Sequence, residues 1–318
     1  MSHEAYDVVV VGGSWAGLAA AMQLGRARQR VLVVDAGQPR NRFARSSHGF
    51  LGQDGRSPAE ILDTFRAQVL AYPTVQLHVG EVKEARTSDD DAFVVDLSSG
   101  DSLRTSRLIL ATGVVDELPS IPGLAERWGV TVLHCPYCHG YEVADGRLGV
   151  LATSEMSMHQ ALLLPDWSAD VTLFTNGTFA PDFDQQAALA SRGIRVETRT
   201  VDALVGDTPR LAGVRLQDGD LVTLDALFVA SRTRMASPLA ERLGCAFDEG
   251  RFGPIVRTDA RKETSIPGVF CAGDAAREPH SATWAAADGA TAGISAHQSL
   301  ALAAQDGPVP LHTVSNRA

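Results

Sequence analysis

Cys135-Pro136-Tyr137-Cys138-His139 places two thiols three residues apart with an imidazole beside the second. That spacing lets the sulfurs meet across one turn of chain. Pro136 suits the first position of a helix, which puts Cys135 at the N-cap, where the helix dipole favours a thiolate. Zinc would need two further ligands at suitable spacing. His134 and His139 fall too close on one short turn, and Cys245 and Cys271 lack partner spacing, so no metal is expected. Four cysteines in 318 residues are too few for a disulfide scaffold, and a purely structural disulfide is unexpected in a reducing compartment. Thiol–disulfide redox chemistry is the reading the residues favour. An imidazole with a pKa of about 6.5 can act as base toward an incoming thiol, so His139 is the candidate proton carrier, its alternative being a capping histidine. His134 reads as structural.

The elements that must position this pair are legible as two α/β patterns. Tyr6–Val11 is an apolar strand, Leu18–Arg28 is helical, and Val31–Asp35 is a second strand ending in an acid. Between strand and helix lies Gly12-Gly13-Ser14-Trp15-Ala16-Gly17. Glycines there permit a tight turn, the helix N-terminus faces a pyrophosphate, and Asp35 accepts from ribose hydroxyls. Ser14 stands where the second glycine of that pattern belongs. Further strands are predicted at Val75–Val79, Phe93–Leu97 and Arg107–Leu110, the last running into Ala111-Thr112-Gly113, with Asp116–Pro122 as a crossing linker. A second pattern follows the cysteines: strand Leu148–Ala152, helix Met156–Leu164, strand Val171–Phe174, continuing to about Leu243. The first pattern then resumes with strand Gly268–Cys271, Gly273-Asp274 and a helix from Ala282 to Leu302. The tail after Asp306 is expected to be loose. The expected segments are 1–115, 116–245 and 246–318, one α/β unit interrupted by another.

The formal net charge is −10 without a block of Lys or Arg, which argues against nucleic acid and anionic membrane as partners. The N-terminus lacks a basic stretch, and Val8–Val11 is far short of the ~20 apolar residues of a span. A cytoplasmic protein is expected.

The opening glycine motif, Ala111-Thr112-Gly113 and Val269-Phe270-Cys271-Ala272-Gly273-Asp274 together resemble the FAD-binding halves of low-molecular-weight thioredoxin reductases. The resemblance implies two Rossmann-like dinucleotide-binding domains, the FAD domain interrupted by an NAD(P)H-like one. It implies that Asp274 holds the ribityl chain or pyrophosphate, and that backbone donors near Trp284 and Ala285 face the flavin pyrimidine. By the same match Cys138 faces the flavin, Cys135 exchanges with substrate, and His139 replaces a proton-shuttling aspartate.

Such a reductase takes electrons from NADPH, and here the sequence departs from it. The expected second phosphate turn reads Ala152-Thr153-Ser154-Glu155-Met156-Ser157, with no glycine and with an acid that would repel a pyrophosphate. The next strand ends in Phe174-Thr175-Asn176-Gly177 without an arginine cluster. No Lys or Arg falls between Arg147 and Arg192, whereas Glu155, Asp166, Asp170, Asp182 and Asp184 do. A 2′-phosphate would forgo its charge-assisted hydrogen bonds. The nucleotide domain therefore reads as degenerate. This combination resembles the FAD-dependent dithiol oxidases that close disulfides in natural products of the gliotoxin, holomycin and romidepsin kinds. That resemblance implies a small dithiol as reductant, molecular oxygen as acceptor with hydrogen peroxide released, and a homodimer. The alternatives are a thioredoxin-disulfide reductase fed by NADPH or another donor, and, ranked lower, a non-enzymatic redox-sensing or self-protection flavoprotein. His48 and His280 are second-tier candidates, and Cys245 and Cys271 read as buried inert thiols.

Overall fold

The computed structural model describes residues 5–88 and 92–303; the tail after Asp306 lies outside them. β1 (Ala5–Val11), α1 (Trp15–Arg26) and β2 (Val31–Asp35) form the first βαβ unit, followed by α2 (Pro58–Leu70) and β3 (Val75–Val79). β4 (Val82–Thr87), β5 (Phe93–Leu97) and β6 (Ser102–Leu110) form an antiparallel meander that joins the same sheet, in the order β3-β2-β1-β6-β5-β4. β1 is buried on both faces: Val9 and Val11 enter one core, and Val8 and Val10 enter the other with α1 and α2. The run predicted at Arg107–Leu110 begins earlier, because Leu103 and Thr105 are buried where β6 pairs with β5.

β7 (Val114–Glu117) leaves this sheet. β8 (Val132–Leu133) and α3 (Pro136–His139) follow it, then β9 (Leu148–Leu151), α4 (Ser157–Leu163), β10 (Val171–Phe174), α5 (Phe183–Ser191) and β11 (Arg195–Glu197). A three-stranded antiparallel sheet, unforeseen in the sequence, comes next: β12 (Val201–Val205), β13 (Gly213–Leu216) and β14 (Leu221–Thr223). β15 (Ala226–Val229) then enters between β9 and β8 in a parallel sheet ordered β11-β10-β9-β15-β8. The chain returns through β16 (Arg232–Met235), which pairs antiparallel with β7, so the outgoing and returning crossings run side by side. α6 (Leu239–Arg242), β17 (Phe247–Glu249) and β18 (Pro254–Val256) lead to β19 (Val269–Cys271), which pairs with β6, and to α7 (Ala282–Ala303). Leu239, Ala240 and Cys245, expected within the inserted unit, pack in the core of the first sheet. The fold is mixed α/β, with one parallel sheet and one sheet whose parallel strands β3-β2-β1-β6, with β19 beside β6, continue into the antiparallel β5 and β4.

Candidate redox and dinucleotide site

The ends of β1, β6 and β19 lie side by side, with Val11 and Cys271 both in register with Leu110. The three separated motifs therefore meet at one edge. Gly12 has φ +105°, and a Cβ there would lie 2.3 Å from the Ala111 carbonyl oxygen. A Cβ at Gly17 would lie 1.8 Å from the Gly12 carbonyl oxygen, which is how α1 can start against the strand end. A Cβ at Gly13 would lie 2.7 Å from Asp35 Cβ. Gly13 instead donates its N–H to Asp35 Oδ1 at 3.2 Å. Ser14 is the N-cap of α1 but makes no side-chain cap, so its hydroxyl is not spent on the helix. Ala16 is buried, and a Cβ at Gly273 would lie 3.0 Å from Ala16 Cβ. Thr112 and Gly113 continue from Ala111, and Gly113 accepts from the Ala236 N–H at 3.1 Å.

Asp35 receives N–H groups from Gly13 and Gly37, and Arg66 at 3.0 Å. A carboxylate offers about four lone-pair sites, so about one remains for a ribose hydroxyl. Asp274 is held at 2.9 Å by Arg40, whose guanidinium also grips Asp116 in a fork of 2.6 and 2.9 Å. Burial pushes the Asp116 carboxyl up, but the Arg40 hydrogen bond and charge more than offset it, and the net direction is down. At the start of α7, Ser281 Oγ accepts from the Trp284 N–H at 3.1 Å and the Ser281 carbonyl from the Ala285 N–H at 2.9 Å. The expected backbone donors at Trp284 and Ala285 are thus engaged by the helix's own cap. Trp284 is exposed, beneath the Arg277 guanidinium at 4.9 Å, and Ala285 is buried.

Cys135 and Cys138 form a disulfide with Cα atoms 5.2 Å apart. Cys135 is the N-cap of α3 with Pro136 at the first helical position. The helix is a single turn, so the specific donor matters more than a dipole: Cys138 N–H points at Cys135 Sγ at 3.2 Å. That bond is charge-assisted whenever Cys135 is a thiolate. Tyr137, between the sulfurs, is exposed and meets Trp167 edge-on at 5.4 Å.

His134 lies between the pair and the edge where Arg40 and Asp116 meet. Burial, then the Arg40 charge, pushes its pKa down to about 4, and its Nδ1 is sealed from water without a partner. Its ring meets Phe252, whose other neighbour is His280. Both ring nitrogens of His280 are buried and unpartnered, as is Asn41 Oδ1. His139 is half-buried, and burial lowers its pKa, against Glu142, which raises it, and His48, which lowers it further. Burial pushes the thiols of Cys245 and Cys271 up, as inert core cysteines require.

A flavin dinucleotide fits this edge. The glycine turn has no space for side chains, the Ser14 hydroxyl is uncommitted, and His280 and Asn41 hold buried polar atoms that a polar ligand would satisfy. A family model described as pyridine nucleotide-disulphide oxidoreductase matches residues 6–289. The chain belongs to that family. An oxidoreductase from Agrobacterium tumefaciens is 49% identical to this pyridine nucleotide-disulphide oxidoreductase, with a TM-score of 0.89 over 93% of this chain and 99% of its own. HlmI is 42% identical, with a TM-score of 0.88 over 95% of this chain and 94% of its own. Thioredoxin reductase tcpT from Claviceps purpurea is 33% identical over 277 residues, 84% of this chain and 86% of its own. The chain is a thioredoxin-reductase-like flavoprotein and a thiol/disulfide oxidoreductase. No described helix is long and apolar enough to cross a membrane.

Sequence reasoning passed over Arg40, Asn41 and Asp116. The signal available was Pro39-Arg40-Asn41-Arg42, a cation-bearing run a few residues after the acid that ends β2.

Proposed function

We propose that the chain oxidises a small dithiol to its disulfide through Cys135–Cys138 and FAD, with molecular oxygen as acceptor. The observation that carries this reading is the state of the second nucleotide cleft, whose polar groups are consumed by the chain itself. After β9, the Thr153 N–H donates to Ser157 Oγ at 3.1 Å and the Met156 N–H to Ser154 Oγ at 3.3 Å, so donors that would cradle a pyrophosphate are engaged. The arginine just past the carboxyl end of β11 is engaged too: Arg199 meets Glu197, Asp218 and Asp220 together. Arg147, Arg192 and Arg195 stand at the opposite, amino-terminal ends of the strands, paired with Asp225, Asp166 and Asp170. Recruiting Arg199 for a 2′-phosphate would break its existing pairs and strand carboxylates beside the new anion.

The residues divide the work as follows. Gly12, Gly13, Ser14, Ala16 and Gly17 receive the FAD pyrophosphate, Asp35 the adenosine ribose, and Ala111, Thr112, Gly113, Gly273 and Asp274 the middle of the cofactor, with Trp284 and Ala285 by the ring. Bound FAD supplies the two-electron acceptor and its reoxidation by oxygen. A substrate thiol loses its proton to His139, and the thiolate attacks Cys135 Sγ as the Cys135–Cys138 bond breaks. The second substrate thiolate then displaces Cys135, which the Cys138 N–H stabilises as a leaving thiolate. The net change is R(SH)2 + O2 → RS2 + H2O2. A homodimer and three segments accompany this proposal, with the expected boundary at 245 drawn back to the return crossing at β16, so that Leu239, Ala240 and Cys245 fall with the first sheet.

A thioredoxin-type reductase is the second reading, favoured by the name of the tcpT relative. Anaerobic mixing separates the two. Dithiothreitol alone bleaches the flavin absorbance on the dithiol-oxidase reading, and NADPH alone leaves it unchanged; rapid bleaching by NADPH supports the reductase.

A further inference from the structure

The loop after β2 carries His48 across to the turn that follows the cysteine pair. His48 Nε2 lies 3.3 Å from Glu142 Oε1 and 3.0 Å from Ser46 Oγ, and Nδ1 lies 3.6 Å from Asp54 Oδ1. The loop is anchored at several points. Gly49 donates its N–H to Asp54 Oδ1 at 2.9 Å, Thr283 Oγ1 donates to the Gly49 carbonyl at 3.2 Å, and Phe50 packs on Trp15 at 5.1 Å. The His48 side chain is 20% exposed, whereas Asp54 is 68% exposed. Glu142, three residues beyond His139 on the turn after the cysteine pair, thus meets His48, which in turn meets Asp54 at the surface.

We propose that His48 is a positioning residue for the proton of thiol exchange: the two imidazoles, with Glu142 between them, share one proton, which His139 takes from the attacking thiol and His48 delivers to water past Asp54. The inference rests on His139 as the base in the proposed function. The balance is simple. One substrate S–H bond breaks and its proton moves to His139; the S–Cys135 bond forms as the disulfide opens, and Cys138 leaves as a thiolate. The forces on His139 agree, since burial opposes its charged form, Glu142 favours that form, and His48 opposes it alongside burial. The groups facing His48 are Asp54 on its own loop and Glu142 and His139 on the cysteine side.

The test is the pH dependence of anaerobic flavin bleaching by dithiothreitol in the holoenzyme, with nuclear magnetic resonance titration of the histidines in the resting protein. Base catalysis by His139 fails as pH falls through its pKa. Glu142→Gln removes the group favouring the charged form, so the acid limb and the His139 titration both move to lower pH. His48→Gln removes the opposing charge, and both move to higher pH, each by on the order of 0.5–1 unit for a neighbouring charge near the surface. A loop that merely shaped the site would change rates without opposite displacements. If His139→Asn abolishes the limb but His48→Gln moves neither readout, the relay is wrong and the base assignment stands. If His139→Asn leaves the limb in place, the base assignment fails and the relay with it.

Discussion

Replacing Arg40 with Met removes the cation that ties the loops after β2, β6 and β19 together. The Arg40, Asp116 and Asp274 side chains are 19%, 8% and 17% exposed, so solvent screens them little. The substitution strands two carboxylates in an environment prepared for three charges. Breaking a buried pair by removing one partner costs about 3–5 kcal/mol, and the three hydrogen bonds from Arg40 to the two aspartates place this site toward the upper end. The pH dependence has a definite sign. In the native protein Asp116 is held below the ordinary aspartate range, so it contributes stability above that range and loses it as pH falls. Without Arg40, burial is opposed only by the Ser231 hydroxyl and the His134 imidazole, and the Asp116 pKa is expected to rise above its unfolded value. The variant then loses stability as pH rises through that new value. Urea midpoints of wild type and Arg40→Met at pH 5 and pH 8 should therefore differ more at pH 8 (pH values ~3 units apart, spanning the carboxylate range). Adding Asp116→Asn should recover part of the loss, because one stranded charge is gone. A cost below about 1 kcal/mol, or a gap independent of pH, would refute the reasoning.

Gly13→Ala would drive a Cβ into Asp35 Cβ at 2.7 Å, and purified protein should carry far less flavin, read from its absorbance per chain. Cys138→Ser should retain flavin but lose the disulfide, and dithiothreitol should no longer bleach it; unchanged bleaching would show that electrons bypass the pair. Ser157→Ala frees the Thr153 N–H but restores no cation, so NADPH should remain unable to bleach the flavin.

Local features were the legible ones. The glycine turn, its flanking elements and Asp35 lie within one contiguous βαβ stretch, and Cys135 as N-cap followed from Pro136 alone. What escaped depends on the order of strands. Arg40 reaches Asp116 and Asp274 across separations of 76 and 234 residues, and only the sheet order β2-β1-β6, with β19 beside β6, brings them together. His48 meets Glu142 for the same reason, on a loop with no periodicity to read. The empty run of cations between Arg147 and Arg192 was visible, but the pairing of Arg192, Arg195 and Arg199 with acids was not. The donors near Trp284 and Ala285 were inferred from likeness, and nothing in the sequence marked Ser281 as the residue whose hydroxyl and carbonyl engage them.

Oxygen uptake by the purified holoenzyme, supplied with a small dithiol and no nicotinamide, tests the central claim most directly. Oxygen consumption with hydrogen peroxide and disulfide appearing in equal amounts is the predicted result. No uptake without NADPH, together with NADPH-driven reduction of a disulfide, would contradict it.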